Sequence, residues 1–236
     1  MVNGLTPIVV GVGQVTEPPG ENLACASSPI DLMVQATDKA LLDAGVSREL
    51  LSQLDQLAVV RSFREYTDNT ALCLARRLNA EQSEQWMMPH GGNGPQYLVN
   101  RYFESIAKGD CKFVLLSGAE AMNTSRRIVK SGSKPDWSEP ADQPGRYLVA
   151  DREMSTDHEK ANGAWLASSI YPLFENALRG AYGEGIEEHQ QAMGELFARF
   201  SAVAAKTPTA WYPESLSGSD IATASLDNRY VGWPYT

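Results

Sequence analysis

The sequence contains few of the residues from which metal sites, disulfide scaffolds and nucleic-acid interfaces are built. Only three cysteines and three histidines occur among 236 residues. An odd, widely spaced set of cysteines argues against a disulfide framework or a CxxC site, so no metal site is predicted. Acidic residues outnumber lysine and arginine, which gives a net charge of -9. Binding to nucleic acid is therefore not expected, because phosphate backbones require clustered positive charge.

Long apolar runs are also missing. No stretch of eighteen apolar residues occurs, and the first residues, MVNGLTPIVV, lack the basic start of a signal peptide. We therefore expect no membrane interaction and a cytoplasmic location. In that reducing compartment Cys25, Cys73 and Cys111 are expected to be buried free thiols. The remaining composition, 43% apolar and 21% charged, is typical of a soluble globular protein.

Apolar segments alternate with amphipathic segments in the first half of the chain. Strands are predicted at residues 7–16, 56–62, 85–89 and 111–118. Helices are predicted between them, after Ser28 as an N-cap, around residues 69–78, and from Pro95 to Lys108. This alternation predicts an α/β fold with a mostly parallel sheet and helices on both faces. The last strand is apolar enough for both of its faces to be covered.

The composition changes beyond residue 122. Residues 123–165 are polar and contain several prolines, which predicts an irregular excursion. Two amphipathic helices are then predicted at about 168–178 and 187–206. These features divide the chain into an α/β core, residues 1–122, and a second part, residues 123–236.

The glycine-rich corner HGGNG, residues 90–94, lies between a predicted strand and a predicted helix. Free backbone N–H groups at such a helix end attract negative charge and lower the pKa of a nearby thiol. The corner is therefore either a seat for an oxyanion or only a turn whose glycines serve close packing or positive φ. His90 is a site candidate, whereas His158 and His189 lie in polar sequence and are predicted to be exposed.

Other motifs favour simpler interpretations. GVGQVT, residues 11–16, lacks the third glycine of a dinucleotide fingerprint and opens no helix. The chain has no Gly-x-Ser-x-Gly elbow, which argues against a serine hydrolase. Arg126 and Arg127 lie in a basic segment, SRRIVKSGSK, that either binds phosphates or forms a solvated loop.

Four stretches resemble the N-terminal half of thiolase-superfamily proteins, in particular the thiolase-like and sterol-carrier-protein-x-type acyltransferases. They are PIVVGVGQV, SPIDLMVQATDKALLDAGV, GGNGPQYLVNRYFESIAKGDCKFVLLSGAEAMN, and the discontinuous stretch from YPLFENALR to NRYVGWPYT. The resemblance implies a layered α/β thiolase-like fold in residues 1–122. It also implies that residues 123–236 form a helical loop-domain insertion and that the C-terminal thiolase half is absent from this chain.

The resemblance further implies an acetyl-CoA acetyltransferase-like protein of lipid metabolism, with acyl-CoA or coenzyme A as substrate or ligand and no covalently bound cofactor. It implies a homodimer, or a complex with a chain that supplies the missing half. The family nucleophile is the cysteine of a Cys-x-Ser-Gly motif. When Gly94 is set on the glycine of that motif, Asn93 falls on its serine and Gly91 on its cysteine. Thiolase activity is then not expected, because glycine cannot form a thioester.

These expectations assign roles to a small set of residues. His90 and Asn93 are catalytic candidates, and Gly92 and Gly94 are substrate-binding candidates together with the two arginines at 126 and 127. An alternative is a non-catalytic subunit that binds CoA esters or acts as a scaffold for an active thiolase-like chain.

Overall fold

The computed structural model describes residues 4–18, 20, 22–226 and 228. The chain consists of two compact units, Met1–Asp151 and Arg152–Thr236. The division lies beyond the boundary expected at residues 122/123, because residues 145–148 return to the sheet of the first unit. There the N–H of Met87 donates to the carbonyl of Arg146 at 2.7 Å.

The first unit is built on a parallel sheet, as predicted. Its strands are β1 (Gln56–Val60), β2 (Glu84–Met88) and β3 (Val114–Gly118), paired in the order β2-β1-β3. Its helices are α1 (Pro29–Asp43), α2 (Thr70–Leu78), α3 (Gly94–Lys108) and α4 (Met122–Lys130). The predicted strands at 56–62 and 85–89 and the helix from Pro95 to Lys108 are thereby confirmed.

Helices cover both faces of this sheet, as the alternation predicts. Leu57, Val59 and Met87 point to one face, where they join a buried cluster with α1 and α2. Ala58 and Met88 point to the other face, where they contact Leu98 and Tyr102 of α3. The alternation follows from the two-residue period of a strand, which sends successive side chains to opposite faces.

The helix ends follow local sequence rules. Ser28 Oγ accepts a hydrogen bond from the Asp31 N–H, and the Asp31 side chain accepts one from the Ser28 N–H, which completes a capping box. Pro29 occupies the first helical position of α1. At its C-terminal end α3 stops at Gly109, whose φ of 82° lies in the left-handed region that glycine adopts without steric cost. The placement of α1 and α3 is therefore determined largely by residues near their own ends.

The strand predicted at residues 7–16 is wrong. The segment is extended but pairs with no strand in the described part of the chain, and Ile8 and Val12 are 68% and 67% exposed. It rests on α1 instead: a Cβ on Gly13 would clash with the carbonyl oxygen of Ala36. The Val12 N–H also donates to Asp43 Oδ2 at 2.9 Å. An apolar sequence favours a strand, but only a neighbouring strand can complete one.

Two expectations about burial also fail. β3 is only partly buried, although both of its faces were predicted to be covered, because in the described residues it pairs with β1 alone. Cys25 is exposed, whereas Cys73 and Cys111 are buried, and all three thiols are free. Cys25 lies in a single 3-10 turn, Leu23–Cys25, that contributes no buried residue.

The second unit consists of helices in its described part. They are α5 (Asp157–Ala161), α6 (Ala167–Tyr182), α7 (Ile186–Ala204) and α8 (Gly218–Ala222). The helices predicted at 168–178 and 187–206 are confirmed as α6 and α7. The segment 123–165 was expected to be irregular, but α5 and most of α4 lie within it. The capping box of Thr156 with Glu159 explains why a helix forms at α5 despite the polar sequence.

His189 of α7 was predicted to be exposed but is buried. Its Nδ1 lies 2.5 Å from Glu184 Oε2, and its Nε2 lies 2.9 Å from Glu175 Oε1. Carboxylates from α6 and from the turn before α7 thus enclose the ring, an arrangement that polarity of the local sequence does not reveal. His158 is exposed, as predicted.

No helix in the described residues is long and apolar enough to cross a membrane.

Candidate functional site

The carboxyl ends of the three parallel strands meet at one edge of the sheet, which is where ligands bind in open α/β folds. The loops that leave this edge are tied to one another. Ser62, after β1, donates from its hydroxyl to the carbonyl of Ala119, after β3, at 2.8 Å. The Phe63 N–H donates to Glu120 Oε2 at 2.9 Å. The corner at residues 90–94 follows β2 and therefore belongs to the same edge.

The corner presents backbone donors at the start of α3. Asn93 is the N-cap but its side chain makes no capping hydrogen bond, and Pro95 contributes no N–H. The Gly94 N–H donates to the carbonyl of Gly91 at 3.0 Å. No acceptor for the N–H groups of Gly92 and Asn93 is found among the described residues. The corner can therefore bind an anion or a polarised carbonyl oxygen.

The glycines of the corner are not required by the backbone. Gly91, Gly92 and Gly94 are not among the residues with positive φ. A Cβ on Gly91 would meet only Asn93 Oδ1, at 3.0 Å, and a Cβ on Gly92 would meet nothing within 4 Å. A Cβ on Gly94 would lie 3.5 Å from Met88, which is an ordinary van der Waals contact. At Gly91 the backbone conformation does not require glycine, and an added Cβ would need only a small shift of the Asn93 side chain.

An ion pair that sequence inspection missed lies at the same edge. Arg61 and Glu65 follow β1 and are joined at 2.7 Å between Arg61 Nε and Glu65 Oε2. In the described part of the chain, Glu65 Oε1 and His90 Nδ1 are buried and make no hydrogen bond. Burial raises the pKa of Glu65, while the Arg61 guanidinium, the Thr70 hydroxyl and His90 partly oppose the rise.

Glu65 also lines a cavity of about 690 Å³, together with Tyr66 and Tyr147. Burial raises the pKa of Tyr147, and the charge of Glu65 adds to that rise. On the other side, the His90 ring packs against Phe63 with 5.1 Å between ring centroids. The sequence contained only a weak indication of the Arg61–Glu65 pair, namely charged residues directly after a predicted strand of a parallel sheet.

The two arginines proposed for phosphate binding lie on α4 and not in a loop. Arg126 is exposed, and Arg127 donates from Nη2 to the carbonyl of Gly20 at 2.8 Å. Successive helical residues point about 100° apart, so the two guanidinium groups face different directions. Ser125 anchors this helix to the loop after β1, since it accepts a hydrogen bond from Tyr66 Oη at 2.8 Å.

A larger cavity, of about 810 Å³, lies between α1 and the segment that follows α4. Cys25, Lys134 and Trp137 are among the residues that line it. Its other cation, Arg77, is already paired with Asp31 and, at 2.9 Å, with Glu139. In the described residues no group of three histidine, cysteine or acidic side chains could hold a metal ion.

The two buried cysteines are not placed at the corner. Cys73 lies within α2 and contacts the Thr67 hydroxyl at 3.3 Å, and Cys111 precedes β3. Burial raises the pKa of both thiols, which disfavours the reactive thiolate. Neither residue can therefore stand in for a nucleophile at residue 91.

Among solved structures, one is similar to almost the whole chain. It is a monomeric SCP2-thiolase like protein type 1 from Mycobacterium smegmatis, which matches 97% of this chain with a TM-score of 0.72 and 28% sequence identity. The chain spans 41% of the length of that protein.

Two further solved structures match about half of this chain. A 3-oxoacyl-[acyl-carrier-protein] synthase III from Aquifex aeolicus VF5 matches 48% of this chain and 33% of its own length, with 22% identity and a TM-score of 0.36. A priming β-ketosynthase from the R1128 polyketide biosynthetic pathway matches 49% of this chain and 42% of its own length, with 17% identity and a TM-score of 0.39. These two likenesses are too weak to inform the chemistry. No protein-family model and no curated protein matches the chain.

Proposed function

Because the chain has the thiolase-like fold, of the SCP2-thiolase-like type, we propose that it binds acyl-CoA thioesters at the carboxyl edge of its sheet. The observation that supports this most directly is the corner of residues 90–94, where the N–H groups of Gly92 and Asn93 are free to donate hydrogen bonds to a thioester oxygen. The chain spans 41% of the length of that solved structure, so acyl-CoA binding by this chain is itself a proposal. All three cysteines are free thiols, which supports a cytoplasmic location.

In this proposal the phosphates of coenzyme A bind to α4. The protein carries a net charge of -9, so an anionic ligand requires a local cluster of cations. Arg126 provides an exposed guanidinium on a helix anchored to the carboxyl edge through Ser125. Arg127 holds the Gly20 carbonyl and so also orders the segment beside α1.

The proposal excludes a covalent acyl-enzyme at the family position. Gly91 has no sulfur, and the two buried cysteines lie elsewhere in the first unit. Loss of a nucleophile lowers the rate of a covalent mechanism by orders of magnitude. Binding and polarisation of the thioester do not depend on that sulfur, since the backbone donors remain.

Calorimetric titration with acetyl-CoA tests the binding. We expect saturable binding that weakens with salt, and a loss of affinity of at least about tenfold in the Arg126→Ala, Arg127→Ala double variant, roughly 1.4 kcal/mol. A matched control removes two exposed cations of the second unit through Arg199→Ala and Lys206→Ala. Equal affinity of both double variants at low salt would remove α4 from the site, and no binding by the wild type would refute the proposed function.

A cysteine introduced at residue 91 tests whether the corner stabilises negative charge. In a Cys25→Ser background, we expect the Gly91→Cys thiol to titrate below about 8.5, because a helix N-terminus stabilises the thiolate. Gly180→Cys serves as the control, since Gly180 lies in the last turn of α6 and has open space around its Cα. A thiol at residue 91 that titrates at or above the control would contradict an anion-binding corner.

A second candidate function, a scaffold subunit without catalysis, is favoured by the open edge of the sheet. Within the described residues β3 lacks a neighbour on one side, and Ile8, Val9, Val10 and Val12, in the extended segment that rests on α1, are exposed. Such a surface can bind another thiolase-like chain, or a second copy in a homodimer. Sedimentation of the purified protein separates these cases. A scaffold would self-associate or bind a partner without affinity for acetyl-CoA, whereas the first proposal requires that affinity.

A further inference from the structure

We propose that Glu65 is the general base of a water-dependent thioester hydrolysis at the carboxyl edge of the sheet, with His90 positioning the attacking water. The inference rests on the proposed function for its substrate class, a thioester. It assigns a chemical role to a side chain that neither the sequence motifs nor the family nucleophile position indicates.

The two oxygens of the Glu65 carboxylate differ in their surroundings. Oε2 forms an ion pair with Arg61, 2.7 Å from its Nε, while Oε1 is buried without a hydrogen bond in the described residues. A buried carboxylate oxygen without a partner is costly, so such groups are usually satisfied by a water molecule or by a catalytic ligand. Arg61 is itself held, through Nη1, at 3.3 Å from Asp151, so the position of the ion pair is well defined.

The Nδ1 atom of His90 is buried as well. This atom also makes no hydrogen bond in the described part of the chain, and its ring is packed against Phe63. Phe63 lies two residues before Glu65, so the loop that carries Glu65 approaches His90. A water molecule needs two to four polar partners to be held in a buried place, and in the proposed arrangement Glu65 Oε1 and His90 Nδ1 are two of them.

Glu65 also lines the 690 Å³ cavity beside Tyr66 and Tyr147. His90 directly precedes the corner, where the N–H groups of Gly92 and Asn93 have no acceptor among the described residues. A base and an oxyanion-binding corner at the same sheet edge are the two components that hydrolysis without a covalent intermediate requires.

The reaction balances without a further reactant. Glu65 accepts a proton from water as the water oxygen bonds to the thioester carbonyl carbon, whose oxygen becomes an oxyanion at the corner. Collapse of this intermediate breaks the carbon–sulfur bond, and the leaving thiolate takes the proton from Glu65. The products are a carboxylic acid, which ionises in solution, and a free thiol.

The test uses the acetyl thioester of N-acetylcysteamine, which contains no nucleotide and so does not require phosphate binding. We expect the wild type to release thiol faster than buffer, and Glu65→Gln to lose roughly 100-fold or more of that rate. The control Glu187→Gln alters an exposed carboxylate of α7 and should retain the rate. Cys25→Ser should also retain it, since the exposed thiol takes no part.

The pH profile and His90 variants separate a chemical role from a structural one. The wild-type rate should rise with pH through a pKa above the usual range for glutamate, because burial raises the pKa of Glu65. His90→Ala should lower kcat with little change in KM, and His90→Gln should restore part of kcat. Thermal unfolding of each variant shows whether it is folded.

Three results would overturn the inference. They are a wild-type rate equal to buffer, a folded Glu65→Gln variant with the wild-type rate, and a rate that Cys25→Ser abolishes. These outcomes are distinct from failure of the proposed function, which is measured by acetyl-CoA binding. Thiol release from the small thioester in a protein that does not bind acetyl-CoA would retain the role of Glu65 and reject the CoA site.

Discussion

The two units of the chain differ in where their apolar side chains lie. In the described residues, every buried apolar core residue falls between Ile30 and Ile128, in the first unit. In the second unit large apolar side chains of α6 and α7 are exposed, among them Phe174 at 61% and Phe200 at 59%. Both units have amphipathic helices, but only the first has a sheet against which to pack them.

The difference shows that helix formation and core formation are separate steps. α5 and α8 carry complete capping boxes, and α7 meets α8 at a close glycine contact, yet none of these features buries a large apolar side chain. Most helical stability in proteins comes from packing of the apolar face. The described part of the second unit therefore forms helices without a buried apolar core.

The largest expected effect comes from truncating one apolar side chain in each unit. Leu74→Ala, at a fully buried position in α2, should lower the free energy of unfolding by about 2–5 kcal/mol. Phe197→Ala, at a side chain that is 53% exposed in α7, should cost about 1 kcal/mol or less. Denaturant titration followed by circular dichroism measures both values. Equal costs would show that the apolar face of α7 is covered in solution.

Close backbone contacts provide a smaller test in each unit. Gly13→Ala and Gly194→Ala should each cost about 1–3 kcal/mol, because the added methyl group meets the Ala36 carbonyl of α1 or the Gly218 carbonyl of α8. Gly20→Ala is the control, since a Cβ there meets nothing within 4 Å. If Gly13→Ala is neutral, the N-terminal segment does not rest on α1 in solution.

The smallest expected effect is a pH dependence confined to the second unit. The hydrogen bond to Glu184, followed by that to Glu175, raises the pKa of His189. The stabilisation is therefore complete below the unfolded value of about 6.5 and is lost as pH rises through the higher folded value. Hydrogen exchange, corrected for its intrinsic pH dependence, should show α6 and α7 opening more readily at high pH, while α1 and α2 change less.

Replacing the histidine removes the charge that responds to pH. His189→Gln should abolish the difference between low and high pH in α6 and α7, with protection resembling that of the wild type at high pH. A wild-type pH response that persists in this variant would assign the effect to another group.

The sequence predicted the fold of the first unit more accurately than its site. β1, β2 and α3 were located within a few residues, because apolar runs, Pro95 and Gly109 act locally. The corner was also found. Glu65 was missed, because neither its burial nor the packing of its loop against His90 follows from residues that are near it in the sequence. The exposure of Cys25 was mispredicted for the same reason.

At Gly91 the sequence and the structure each establish a different fact. The sequence alone establishes that no thiol can stand there. Only the structure shows that φ at this position is not positive and that a side chain would fit, so the backbone does not demand glycine. Glycine at this position is thus a feature of the sequence and not a steric consequence of the turn.

The sequence by itself determined the helices with their caps, the apolar strand runs, the acidic balance and the bare corner at residues 90–94. These depend on interactions between residues a few positions apart. The tertiary structure alone decided that residues 7–16 lie on α1 without strand pairing, that His189 is enclosed by two carboxylates, and that Phe63 in the loop after β1 packs against His90. Pairing, burial and electrostatic coupling depend on which distant segments meet, and no local pattern specifies that.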